Sequence, residues 1–411
     1  MLRIHPCFGI LESGGSLLQP AAAARLARSF ASVLPSGSKV LLIGDGSREV
    51  LPAMLASKAQ FAFMGFRVTE GAGCLPGMAH WMIPHGGFSG GMCFSGTSCW
   101  VIGSDGRCPN EALWECILAK FDGGGSDDMK EAAAADGVLA ADVIEGYWEH
   151  LQKCVNAESI RKAGLRIACS GLPEFGSRFG EIFGVEMLPF SCEKAVAEAL
   201  PYLKVACGMV FEPSGKRLTL LGSSGQVCPP DSVMLLGSSI VLERGQRSIV
   251  SGGFMTKSWM ELLRRHELDS YVVPAGEGST IVSGSVCGTL QGDFSFGGYP
   301  GYDALRTAAF LLEFLAAGGG IEDQLNRLRK YHVVHKVVPR GGAAVFRLKG
   351  RFNAEEILEE ECGVWFDLAD GALSAMALPD GSAFVCSEGR KLQDARERLD
   401  AACTILAGGG R

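Results

Sequence analysis

Short apolar runs alternate with segments of helical periodicity along most of the chain, and glycine-rich turns separate them. Apolar runs of four to eight residues bounded by turn residues predict buried strands, and longer amphipathic stretches predict helices. Residues 39–43 predict a strand, 51–63 a helix, 67–70 a second strand and 91–95 a third. The segment Gly96-Thr97-Ser98-Cys99-Trp100 then predicts a loop, 109–120 a helix, and the Gly- and Asp-rich stretch 122–128 another loop. A second series follows: helix 141–155, strand 165–169, helix 175–183, strand 185–190, helix 192–203 and the strands 205–210 and 218–221. A third runs through strand 248–250, helix 256–266, strand 270–273 and helix 302–316, which Gly318-Gly319-Gly320 ends. The last stretch, 332–407, predicts strands at 343–348 and 383–386 and a final helix at 391–406.

Strands alternating with helices imply βαβ units and mostly parallel sheets. The expected organisation is three similar α/β units, 1–138, 139–245 and 246–330, and a smaller α+β unit, 331–411.

Composition narrows the function. The 411 residues are 47% hydrophobic and 20% charged, enough to bury several cores. A net charge of -7 argues against a nucleic-acid partner, because no basic field is present to displace counterions. No apolar stretch of about 20 residues is present, so no membrane span is expected. The start, Met1-Leu2-Arg3-Ile4-His5-Pro6, lacks the long apolar core of a secretory signal, and the expectation is a cytoplasmic protein. The 15 cysteines are scattered without a Cys-x-x-Cys pair. They read as small buried hydrophobes of a reducing compartment rather than a zinc or redox site.

The stretch Phe211-Glu212-Pro213-Ser214-Gly215-Lys216-Arg217-Leu218 lies between two predicted strands, the setting of a metal loop. It resembles the magnesium loop of the phosphohexomutases, Phe-Asp-Gly-Asp-Gly-Asp-Arg, with the metal aspartates replaced by Glu212, Ser214 and Lys216. Other landmarks follow in the same order. Phe8-Gly9-Ile10-Leu11-Glu12-Ser13-Gly14-Gly15 is similar to Phe-Gly-Thr-x-Gly-Ile-Arg-Gly without its arginine. Ile43-Gly44-Asp45-Gly46-Ser47-Arg48 is similar to Ile-Gly-x-Asp-x-Arg. The 91–100 stretch stands where the family has Gly-x-x-x-Thr-Ala-Ser-His-Asn-Pro. Cys287-Gly288-Thr289-Leu290-Gln291-Gly292-Asp293 stands at Gly-x-Glu-x-Ser-Gly-His, and Gly301-Tyr302-Asp303-Ala304 at a Gly-x-Asp-Gly helix start. Residues 375–381 stand at Arg-x-Ser-x-Thr-Glu-Pro and offer only Asp380.

The resemblance spans nearly the whole chain. It implies three related α/β domains and a smaller fourth around a central cleft. It implies Thr97 at the phosphoserine position and Arg48 on a cleft loop. Ser98, Lys216, Arg217, Thr289, Gln291 and Asp293 are implied on ligand-facing loops. The frame is matched at every site and the functional residues are changed at every site.

Mutase chemistry needs a phosphoryl carrier, a divalent cation, proton-transfer groups and a clamp for the second phosphate. Thr97 has a hydroxyl, although a β-branched side chain is stiffer than serine, and the plain reading of this residue is an ordinary turn threonine. Glu212, Ser214 and Lys216 leave one anionic ligand and add a cation, so no cofactor is expected, with Mg²⁺ only in a working mutase. Lys216 reads either as a solvated partner of Glu212 or as a fixed positive charge standing in for the metal beside a phosphate oxygen. Arg390-Lys391 are cations for acidic partners, His85 reads as structural, and Gly86-Gly87-Phe88-Ser89-Gly90-Gly91 lacks phosphate-loop spacing. The leading expectation is a pseudo-mutase that binds a sugar phosphate or a protein partner without transferring phosphate. The alternatives are an active phosphosugar mutase carrying phosphate on Thr97, and a scaffold subunit or homo-oligomer.

Overall fold

Among the described residues, three of the four sheets share one strand order, and that repetition builds the molecule. The computed structural model describes residues 2–5, 9–12, 18–71, 73–122, 137–138, 141–172, 175–269, 271–273, 286–290, 292–297, 299–360, 363–378 and 381–408. The first unit contains β1 (Leu2–His5), β2 (Gly9–Glu12), α1 (Pro20–Ala31), β3 (Lys39–Gly44), α2 (Leu51–Phe63), β4 (Arg67–Glu70), α3 (Ala79–His85), β5 (Gly90–Ser95), β6 (Ser98–Gly103), α4 (Glu111–Asp122) and β7 (Gly137–Val138). The second contains α5 (Ala141–Cys154), α6 (Ala157–Ala163), β8 (Arg166–Ser170), α7 (Phe175–Phe183), β9 (Glu186–Pro189), α8 (Glu193–Ala199), β10 (Cys207–Phe211), β11 (Leu218–Leu221) and α9 (Ser232–Glu243). The third contains β12 (Ile249–Gly252), α10 (Lys257–Arg265), β13 (Tyr271–Val273), β14 (Val286–Gly288), β15 (Phe294–Ser295), α11 (Ala304–Ala316) and α12 (Ile321–Leu328).

The strand orders β4-β3-β5-β6, β9-β8-β10-β11 and β13-β12-β14-β15 are the same pattern. In each, three strands run parallel and the fourth returns antiparallel beside the third. The first sheet is longer, with β2 and β1 beyond β6 and β7 beyond β4. The parallel strands have apolar sequences because helices cover both faces. Val40 to Ile43 and Met92 to Phe94, for example, are buried. The fourth sheet is wholly antiparallel. Its strands are β16 (His332–Val338), β17 (Glu356–Glu360), β18 (Gly363–Leu368), β19 (Gly371–Ala377) and β20 (Ala383–Gly389), with α13 (Leu392–Leu406) packed on it.

Helix α9 is the hub between units. Every residue from Ser232 to Leu242 is buried, and it packs on α10, α11, α12, β11 and β14. A helix apolar on all sides has nowhere stable to lie except inside.

Three expected elements are corrected. The 96–100 loop is a two-residue turn, Gly96-Thr97, because Ser98 to Gly103 pair back onto β5 as a strand, with Ser95 opposite Ser98. The expected strand 343–348 is a 3₁₀ helix, Gly342–Leu348. There Ala344, Val345 and Leu348 are buried, a helical spacing rather than alternation. The helix expected over 192–203 stops at Ala199 because Pro201 has no N–H for the next turn. The expected loop 122–128 lies beyond Asp122 outside the described residues, as do the Phe8 and Ser13 to Gly15 ends of the first motif.

Candidate functional site

The shared strand order gives the three site loops one structural position. Each connects the third strand of a unit to its antiparallel fourth: Gly96-Thr97 between β5 and β6, 212–217 between β10 and β11, 289–293 between β14 and β15.

The first loop is the shortest. Gly96 has φ of +55, suited to a tight hairpin turn. Its N–H donates to Asp45 Oδ2 at 2.9 Å, while Asp45 Oδ1 accepts from the Ser47 N–H, so one carboxylate holds two site loops together. Thr97 is half-buried at the tip and has no side-chain partner among the described residues. Ser98, at the start of β6, is also half-buried. Arg48 is exposed in the turn before α2.

The second loop is wedged between units. The Gly77 N–H donates to Ser214 O, and the Ala304 N–H donates to Gly215 O, both at 2.8 Å. Gly215 has φ of +69, and a Cβ there would stand 2.7 Å from Leu75 Cβ, so only glycine fits. The loop's one carboxylate is used internally. Glu212 Oε2 accepts the Ser214 hydroxyl at 3.2 Å, and Arg217 Nε lies 3.9 Å away. Lys216 turns to the first unit, its ammonium 3.4 Å above the Trp100 ring. Ser98 and Trp100, two apart on β6, share that face. The residues that the resemblance sets at the last metal aspartate and at the His-Asn-Pro proline thus touch one another.

The third loop meets the second. Arg217 donates from Nε and Nη2 to the two Asp293 oxygens at 3.3 Å, and Thr289 Oγ1 donates to Asp293 Oδ2 at 2.8 Å. Burial lowers the pKa of Arg217, but Asp293 and Glu212 outweigh it, and the net shift is upward. Arg217, Thr289 and Asp293, expected as separate ligand contacts, therefore satisfy each other. Gln291 lies outside the described residues, as does Asp380. In the fourth unit the Leu378 N–H donates to Ser382 O, closing a turn. Leu378 faces a cavity of about 250 Å³ between the second and fourth units, along with Arg217, Thr219, His335, Val337 and Phe384.

The residues do not fit a divalent metal. Hard cations take several oxygen ligands. Here the loop offers one carboxylate, already bonded to Ser214, and an ammonium. No group of three His, Cys, Asp or Glu able to hold a metal exists among the described residues.

Two buried polar networks were not anticipated. Asp303 caps α11 through the Arg306 N–H, and its other oxygen accepts from Tyr147 at 2.8 Å and Tyr299 at 2.9 Å. Burial pushes its pKa up against these bonds. The second network joins the third and fourth units. Glu388 Oε2 accepts the Lys257 N–H at 2.7 Å, while Glu388 Oε1 is buried without a partner. Burial pushes the Glu388 carboxyl up to about 8, and the nearby Asp231 adds to the rise. Arg329 pairs with the buried Asp231, which also accepts from Thr256, and the Lys257 ammonium reaches Asp367. The helix-start motif signalled Asp303; Glu388 is one acid in a run of strand residues and carries no sequence signal.

No protein-family description matches the chain, and no curated protein matches it by sequence. Solved structures do match. A phosphoglucomutase/phosphomannomutase family protein from Burkholderia thailandensis superposes with a TM-score of 0.75 at 16% identity, covering 100% of this chain and 99% of that one. The Paramecium phosphoglucomutase pp63/parafusin, in an open form, gives 0.65 at 12% identity, covering 99% and 96%. An Aspergillus fumigatus N-acetylphosphoglucosamine mutase, in complex with glucose 1,6-bisphosphate, gives 0.54 at 11% identity, covering 98% and 95%. The likeness is one of fold: this chain has the phosphohexomutase architecture over its whole length. No single helix among the described residues is long and apolar enough to cross a membrane.

Proposed function

We propose that this chain is a pseudo-mutase: its cleft binds a phosphorylated sugar without magnesium-dependent phosphoryl transfer. The reading rests on the fold and on one observation, the contact of Lys216 with Trp100. It puts a fixed positive charge on the metal loop, beside the strand that begins at Ser98. An ammonium binds a phosphate oxygen as a point charge and needs no metal. Glu212 and Arg217 bond to other loop residues, and this reading assigns the ligand's phosphate to the Lys216 ammonium. The loop that would carry phosphate is a two-residue turn, with Thr97 in place of serine.

Calorimetric titration of glucose and mannose phosphates and glucose 1,6-bisphosphate, in EDTA, tests the binding. Binding is expected without metal and should weaken as ionic strength rises. Lys216→Met should lower affinity roughly ten- to a hundredfold, the loss of one charge-assisted contact of about 1.5–3 kcal/mol. Equal affinities for both proteins would remove Lys216 from the site. Absence of binding to either would leave a scaffold role. A coupled assay with Mg²⁺ tests the chemistry. Turnover at ordinary enzymatic rates, abolished by Thr97→Ala and accompanied by a phosphate on Thr97 in the intact mass, would establish the active-mutase alternative instead.

A further inference from the structure

Helix α2 has two apolar faces and only one of them is buried. Its thirteen residues, Leu-Pro-Ala-Met-Leu-Ala-Ser-Lys-Ala-Gln-Phe-Ala-Phe, carry a single charge, Lys58, which pairs with Glu70 at 2.7 Å. Ala53, Ser57 and Phe61 form the inner face and are buried. The helix packs on α1, β3 and β4. Offset from these, Leu51, Leu55, Ala59 and Phe63 recur every four residues on the outer face, and all four are exposed. Leu51 is 45% exposed, Leu55 50% and Phe63 39%. Single exposed leucines need no explanation, but a continuous apolar ridge along one helix marks an interaction surface. Helix α9 has a similarly apolar sequence and is covered on every side.

We infer that this ridge is the contact face of a homodimer, in which α2 of one copy packs antiparallel against α2 of a second across a two-fold axis. Self-complementarity chooses this occupant. A two-fold axis near the helix centre places Leu55 of each copy beside Ala59 of the other, and Leu51 beside Phe63, so the largest side chains at the centre meet the smallest. Ridges spaced by four residues are those that helices interdigitate most often. The charges at the two ends are also complementary. Exposed Glu49 lies just before the ridge, and exposed Arg67 lies four residues after Phe63. The two-fold brings Glu49 of each copy to the Arg67 end of the other, and the antiparallel helix dipoles agree with that arrangement. A helix of this length is only about 20 Å long. The contact is therefore a small one, and dissociation in the micromolar range is expected.

Sedimentation velocity of the full chain between 1 and 100 µM reads the assembly directly. The wild type is expected to pass from monomer to dimer across this range. Leu55→Glu should stay monomeric throughout, with an unchanged circular dichroism melt, because Leu55 already faces water. Glu49→Arg and Arg67→Glu should each weaken the dimer severalfold, and the double variant should recover it. A wild type that is monomeric at 100 µM overturns the inference and leaves the ridge to a different protein. A dimer indifferent to Leu55→Glu, or a double variant without recovery, overturns the proposed geometry.

Discussion

Two seams between units bury acidic side chains, and they do so in opposite ways. Between the second and third units, Asp293 meets Arg217 and Thr289, and both of its oxygens receive donors. Between the third and fourth units, Glu388 receives one backbone N–H and leaves its other oxygen without a partner. The first seam neutralises a carboxylate with a cation. The second leaves a carboxyl whose pKa is pushed up, chiefly by burial, while Lys257 and Arg329 pair with Asp367 and Asp231. Burial of a charge is costly unless it is paired, and an unpaired group shifts its pKa and neutralises instead. The second and third loops thus close on each other as a satisfied polar seam. The unpaired acid lies in a region with no sequence motif.

The largest separation between the seams should come from pH. Glu388 has its folded pKa raised to about 8 from an ordinary 4.5. Between those values the folded chain retains a proton that the unfolded chain has released. Stability is therefore fully present below about pH 4.5 and is lost as pH rises through about 8. The shift corresponds to about 5 kcal/mol at most, at roughly 1.4 kcal/mol per unit. Glu388→Gln, which mimics the neutral carboxyl, should remove this fall. Urea midpoints of both proteins at pH 5 and pH 8.5 check it; parallel losses in the two would assign the effect to another group.

Breaking the first seam should cost less. Asp293→Ala strips Arg217 and Thr289 of their shared acceptor. Arg217 keeps 34% of its side chain in water, so the expected loss is about 1–2 kcal/mol rather than the full cost of a buried charge. Raising salt to 1 M should shrink the difference between variant and wild type, as screening replaces the lost partner. A salt-independent difference would point to packing. The smallest effect belongs to Lys216→Met. Loss of its contact with Trp100 should lower stability by about 0.5–1 kcal/mol. That is visible as a small shift in thermal midpoint, even where the effect on ligand affinity is large.

Much of the architecture could be read before any coordinates. Short runs rich in apolar and β-branched residues between turn signals read as strands, so 39–43, 67–70 and 218–221 predict β3, β4 and β11 almost residue for residue. The helix 175–183 was also legible from its own periodicity. Helices α1, α3, α6, α9 and α12 have no counterpart among the expected elements, and for α9 the reason is a uniformly apolar sequence with no polar face to mark a period. The antiparallel strands of the fourth unit were mostly missed as well, because small residues such as Gly371, Ala372, Ser374 and Ala375 fill β19 without alternation. At the site, the loops could be found from the sequence, and the single carboxylate and the lysine of the 212–217 loop are legible from residue type alone. The partners were not. Arg217 and Asp293 stand 76 residues apart, and the Lys216–Trp100 contact crosses from one unit to another.

The sequence alone determined most of the parallel strands and several of the helices, and that the 212–217 loop holds a single carboxylate and a lysine. Both are local properties, set by side-chain chemistry and by spacing along the chain. Only the tertiary structure decided that the three site loops are equivalent hairpins, that Arg217 is spent on Asp293, and that Glu388 is sealed away from a counterion. Those depend on which groups the fold excludes from water together. That exclusion sets both the strength of a charge pair and the cost of an unpaired acid.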